Sequence, residues 1–330
     1  MHKGGDHKRP ILLIAVIALV TVGCFAFSIK AGSITLTWTT IVQALTGGGD
    51  AFSGNLIWKL RLPRINNGFL TGGSLALSGA LMQVLLHNPL ADPYILGVSG
   101  GAAAASLILI MAGIDGFALS IGAFAGAMFS MILVFHLARG PMGQTPTRML
   151  LTGVVIAAGW GALISFLLAV SSDNHLRGMV FWLMGNINNG SSSWPVFIFL
   201  LLGFALVWPL SRSLDLLARD SNRAAGLGVE IKTVQIRVFL AASLLTAGAV
   251  MTAGTIGFVG LVTPHMLRLI GFHQHRYLLP MSVMVGGCLV MVADTMARTI
   301  IAPQQLPVGV ITAMVGVPLF LILLRRGSGY

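Results

Sequence analysis

Apolar runs of membrane length alternate with short polar connections along nearly the whole chain. About 20 apolar residues cross a bilayer as a helix, which places spans at about 11–29, 62–86, 94–112, 117–138, 148–170, 194–210, 233–252, 257–271, 279–297 and 307–324. The pattern predicts an all-α integral membrane protein of about ten transmembrane helices, with a shorter amphipathic piece at about 179–185. Neither a soluble domain nor an internal repeat interrupts it, so residues 1–330 read as one transmembrane domain.

Two stretches depart from the alternation. Residues 72–102 read GGSLALSGALMQVLLHNPLADPYILGVSGGA. A small-residue helix runs to Leu86, breaks on His87-Asn88-Pro89-Leu90-Ala91-Asp92-Pro93, and an apolar run resumes at Tyr94. Two prolines with Asn and Asp between spans predict a tight re-entry turn. Gly72, Gly73, Ser74, Ala76, Ser78, Gly79 and Ala80 permit close helix approach in lipid. The second stretch, 211–234, is the longest polar connection. Leu214, Leu217, Ala218 and Ala225 are spaced for a short amphipathic helix. Asp220-Ser221-Asn222 supplies the N-cap of a second helix, which Gly226 and Gly228 end. Such a loop is either a docking element or a solvated connector.

Composition agrees with the pattern. Of 330 residues, 56% are hydrophobic and 9% charged, against roughly 25% charged in a soluble domain. The net charge of +11 does not signify nucleic-acid binding, because the basic residues lie between apolar spans rather than on one soluble face. With a cytoplasmic N-terminus, fourteen of the 20 Lys and Arg fall inside, which fits the positive-inside rule with both termini cytoplasmic. Lys30, Lys59, Arg61, Arg64, Arg177 and Arg298 are the outward exceptions. The first span follows Lys3, Lys8 and Arg9 and has no small-residue cleavage site after it, so it reads as a retained helix. Cys24 and Cys288 each lie inside an apolar run and read as small buried hydrophobes, not as a disulfide framework or a metal site.

The chemistry expected of an enzyme is missing. A phosphate-cradling loop ends in Gly-Lys, and that dipeptide does not occur; an ATPase would be a separate subunit. Intramembrane ionisable groups are few: Asp294, His136 and His265. Asp294 and Arg298 are spaced i,i+4 for a pair on one helix face. No metal-ligand pattern such as HExxH occurs, so no cofactor or metal is expected. An ion-driven secondary transporter, the alternative from another class, would place more carboxylates in its spans. Arg61 and Arg64 bracket Pro63 at the mouth of the second span, and Arg298 ends the ninth. They either snorkel to the interface or form a docking surface for an acidic partner.

Several motifs carry a family resemblance: Arg61-Leu62-Pro63-Arg64, the 72–102 stretch, GTIGFVGLVTPHMLR at 254–268, HRYLLP at 275–280, ADTMAR at 293–298 and LPVGVITAMVGVPL at 306–319. Together they resemble the FecCD-type permease subunit of bacterial ABC importers for iron chelates, haem and vitamin B12. The resemblance implies the type II permease fold and a homodimer in the bacterial cytoplasmic (inner) membrane. It also implies two cytoplasmic ATPase subunits and one periplasmic substrate-binding protein as partners. The expected cargo is an iron chelate, siderophore or haem, with vitamin B12 as the alternative. Arg61, Arg64 and Arg298 match the arginines that receive glutamates of the binding protein. Ala224, Ala225, Gly226, Leu227 and Gly228 match the loop that rests in a cleft of the ATPase. Asn88 and Leu90, with Thr147 before the fifth span, match the inner gate, and the fifth and tenth spans match helices facing the dimer axis. Gln305 stands where the family usually has Glu.

Overall fold

The computed structural model describes residues 8–32, 34–139, 145–187 and 192–326, and these contain no strand. The helices are α1 (Lys8–Lys30), α2 (Trp38–Thr46), α3 (Ala51–Asn55), α4 (Leu62–Leu85), α5 (Val98–Met111), α6 (Gly116–Leu137), α7 (Pro146–Val170) and α8 (Asp173–Leu183). They continue as α9 (Trp194–Val207), α10 (Ser211–Leu217), α11 (Ser221–Gly226), α12 (Ile231–Ala253), α13 (Val259–Ile270), α14 (His275–Thr299) and α15 (Val308–Arg326). A π-helical turn, Leu56–Arg61, joins α3 to α4.

Each predicted span coincides with a helix. Seven segments are long and apolar enough to cross a membrane, while α5, α13 and α15 contribute shorter apolar stretches. The shortening of the third span has a local cause. Pro93–Leu96 forms a 3-10 turn capped by Asp92, whose carboxylate accepts from the Tyr94 N–H, and Gly97 turns the chain at φ 70° before α5 starts. In α13 the helix begins only after Phe258, which holds a left-handed φ of 69°. The amphipathic piece expected at 179–185 is the second half of α8.

Helix α4 is the centre of the bundle. It packs against α14, α12, α13 and α9, and every residue from 71 to 85 is buried. Its small residues make this possible. A Cβ on Gly79 would collide with the Gly260 carbonyl of α13, and one on Gly72 with the Gly286 carbonyl of α14. Close backbone approach of this kind replaces the hydrophobic drive that lipid cannot supply. Ser78 adds a polar tie, donating to the Ala242 carbonyl at 3.0 Å beside Thr246 Oγ1 at 2.7 Å. Helices α1, α6, α7 and α9 instead present exposed apolar side chains, Leu19, Phe129, Val155 and Trp194 among them, as a lipid-facing surface requires. Cys288 is buried and Cys24 half-buried, both as free thiols.

Candidate functional site

The start of α4 and the end of α14 meet at one end of the bundle, and the three outward arginines converge there. Arg64 lies one turn into α4. Its Nε donates to both Asp294 oxygens at 3.0 Å, its Nη2 to Oδ1 at 2.9 Å, and its Nη1 to Gln305 Oε1 at 2.9 Å. Arg298, four residues after Asp294 on α14, pairs with the other carboxylate oxygen at 3.0 Å. Arg61 turns back toward the chain end of α1, donating to the carbonyls of Ile29, Lys30 and Ile34. All three side chains are buried, at 3–9% exposure. The guanidiniums therefore do not snorkel outward as the sequence allowed: each turns inward to an acceptor. The i,i+4 pair of Asp294 and Arg298 forms, and Arg64 joins it from a helix 230 residues away in sequence. Asp294 is the one carboxylate ion-paired in this cluster among the described residues. Two guanidiniums on one buried carboxylate, with Gln305 as a neutral acceptor, leave the cluster cationic.

The opposite end carries the re-entry turn and the short helices. Asn88 Oδ1 accepts from the Leu90 N–H at 2.9 Å, an Asx-type closure that Pro89 within it and Pro93 beyond it rigidify. Leu90 is 41% exposed at the tip. Asp92 is half-buried, and burial pushes its carboxyl up to about 6. Tyr94 ties the turn to the segment after α12, its hydroxyl accepting from the Ile256 N–H at 3.1 Å. Thr147 is exposed in the first turn of α7. Helix α7 meets the 3-10 turn further along, where Gly153 lies against the Ile95 carbonyl. Residues 140–144, between α6 and Thr145, lie outside the described residues.

Between α9 and α12, the two expected short helices form. Leu214 and Leu217 of α10 are fully buried. Asp220 caps α11, accepting from the N–H groups of Asn222 at 2.7 Å and Arg223 at 3.3 Å. Gly228 follows with φ 83°. Of the patch 224–228, Ala224 points inward while Ala225, Gly226, Leu227 and Gly228 are exposed, Leu227 at 69%.

Sequence reasoning missed three polar ties at this end. Asp215 of α10 accepts from the backbone N–H and lies 2.6 Å from Nδ1 of His275, anchoring the start of α14. Arg268 of α13 donates to Gln83 of α4. Ser221 Oγ lies 3.0 Å from His87 Nε2. Their partners are 60 to 185 residues apart in sequence, so no local spacing could have announced them.

Comparison with known proteins gives a consistent result. A model of the FecCD transport family matches residues 17–326. The haemin transport system permease protein HmuU of Yersinia pestis is 36% identical, covering 96% of this chain and 96% of that protein. The Fe(3+) dicitrate transport system permease protein FecD of Escherichia coli is also 36% identical, over 96% of this chain and 99% of that protein. The vitamin B12 import system permease protein BtuC of Salmonella typhi is 33% identical over 98% of both. Among solved structures, an inward-facing metal-chelate type ABC transporter superposes with a TM-score of 0.85 at 29% identity, covering 95% of this chain and 99% of that one.

Proposed function

The chain belongs to the FecCD transport family and is a multi-pass membrane permease of the ABC importers for iron chelates or vitamin B12, and we propose that its own cargo is an iron chelate. The carrying observation is the full-length likeness to the metal-chelate type transporter, alongside the haemin and ferric dicitrate permeases. In this reading the permease works as a homodimer in the bacterial cytoplasmic membrane with both termini inside. Two ATPase subunits bind below it and one binding protein above it.

The two ends of the bundle then have distinct tasks. The cationic cluster of Arg61, Arg64 and Arg298 receives carboxylates from the two lobes of the binding protein. The guanidiniums are buried and already donate within the bundle, so in this reading the cluster acts through its net positive charge, which steers and orients an acidic partner. At the other end, the exposed patch Ala225, Gly226, Leu227 and Gly228 of the 211–234 loop seats in the ATPase, with Ala224 holding it to the bundle. The turn that carries Asn88 and Leu90, with Thr147, closes the inner mouth. Nucleotide binding and hydrolysis in the partner select between outward-open and inward-open arrangements of the path.

The test reconstitutes the chain with its ATPase and binding protein in liposomes and offers iron-55 citrate, haemin and cyanocobalamin in turn. ATP-dependent accumulation of iron or haemin with none of cyanocobalamin is the expected result. Uptake of cyanocobalamin alone would overturn the iron-chelate reading. Accumulation that persists without the ATPase and collapses with an uncoupler would favour the secondary transporter.

A further inference from the structure

Helix α4 ends in a Schellman motif. The His87 N–H donates to the Val84 carbonyl at 3.2 Å and the Asn88 N–H to the Gln83 carbonyl at 3.1 Å. In this motif the residue in His87's place adopts a left-handed backbone, and glycine is the usual occupant because it has no Cβ to clash. Here that residue is a histidine with φ 48°. Left-handed backbone at a non-glycine residue persists only where the surrounding structure over-determines it, and it clusters where a mechanism has a use for it.

The use is visible across the interface with the short loop helix. His87 Nε2 lies 3.0 Å from Ser221 Oγ, the first residue of α11. The capping of α11 is already supplied by the Asp220 carboxylate, which leaves the Ser221 hydroxyl available to the imidazole. Ser221 stands three to seven residues before the patch 224–228, and His87 directly precedes Asn88, which shapes the tip bearing Leu90. The other end of the loop has its own anchor, Asp215 on the start of α14. Besides its packing on α10 and α12, α11 thus has a direct side-chain contact with the end of α4.

We infer that His87 and Ser221 form a latch that couples the ATPase-facing helix α11 to the re-entry turn. They are positioning residues: neither touches cargo, and each acts by holding the turn in register with the helix. The inference rests on the ABC importer reading above. Ring and hydroxyl can exchange donor roles with the imidazole tautomer, so the contact survives either arrangement.

Glycine at position 87 separates a positioning role from a merely structural one. His87→Gly relieves the left-handed backbone and keeps the Schellman motif, but removes the imidazole. In the assembled transporter in nanodiscs, the ratio of binding-protein-stimulated to unstimulated ATP turnover is read for wild type, His87→Gly, Ser221→Ala and Ser221→Thr. His87→Gly and Ser221→Ala should lose that stimulation by about fivefold or more, while the thermal midpoint of His87→Gly stays level or rises. Ser221→Thr keeps the hydroxyl and should retain the stimulation. Full stimulation in both His87→Gly and Ser221→Ala would overturn the latch and leave the importer reading intact. A wild-type chain that gives no ATPase complex at all would overturn both.

Discussion

Asp294 shows what a single residue does in this bundle. It is buried at 2% exposure and pairs with two guanidiniums from different helices. Buried pairs add little net stability when intact, but removing one partner strands a buried charge and costs about 3–5 kcal/mol. Asp294→Asn should therefore lower the thermal midpoint in detergent strongly, and an unchanged midpoint would deny Asp294 this role. Asp92 gives a pH signature. Its carboxyl, raised to about 6 by burial, binds its proton more tightly folded than unfolded. Stability from this group is present in full below about pH 4 and is lost as pH rises through about 6. Asp92→Asn should flatten that decline, as read by thermal midpoints from pH 4 to 8, because Asn keeps the acceptor for the Tyr94 N–H without the charge. A wild-type profile in the variant would count against the buried-carboxyl account.

At the scale of elements, α4 and the α10–α11 pair carry opposite designs. Helix α4 is small-residued and enclosed, so its surface tolerates no added atoms: Gly79→Ala would push a methyl into the Gly260 carbonyl. Helix α11 is six residues long and exposes its apolar tip at Leu227. An exposed leucine on so short a helix contributes little to folding, so its replacement separates stability from coupling. Leu227→Glu should leave the thermal midpoint within about 0.5 kcal/mol of wild type, as for most surface changes. The same variant should lose co-purification of the ATPase severalfold. Retained co-purification and transport would remove this helix from the proposed contact.

Across the whole molecule, most Lys and Arg fall at the end read as cytoplasmic, and the proposed binding-protein surface is the small arginine cluster at the other end. Because Arg64 and Arg298 lie on Asp294, a charge reversal at Arg298 would set two buried carboxylates together and disturb the fold. Neutral replacement is the cleaner probe. Arg298→Gln and Arg61→Gln should weaken binding-protein affinity while leaving the bundle assembled. The wild-type affinity should fall with added salt, since the long-range attraction of a net positive cluster for acidic lobes acts through solvent and is screened beyond about 8 Å at physiological ionic strength. A titration in nanodiscs measures both, and salt-independent affinity equal in all three proteins would remove the cluster from docking. In the proposed homodimer the cluster occurs twice, so one two-lobed binding protein per dimer is the expected stoichiometry.

The sequence by itself determined the class, the number of apolar helices, the re-entry turn and the two short helices of the loop, the second of them capped by Asp220. These follow from hydropathy, proline and capping chemistry, which act within a few residues. It also marked Arg61, Arg64 and Arg298 as out of place by the positive-inside rule. What those side chains touch was decided by tertiary structure alone, because α4 and α14 bring Arg64 and Asp294 together across 230 residues. The same holds for His87 and Ser221, 134 residues apart. The shortening of α5 has a local cause, the Asp92-capped 3-10 turn and the left-handed Gly97, which a hydropathy window does not register. Apolar content records that a segment enters lipid, but the left-handed turns at Gly97 and Phe258 belong to close packing, which hydropathy does not encode.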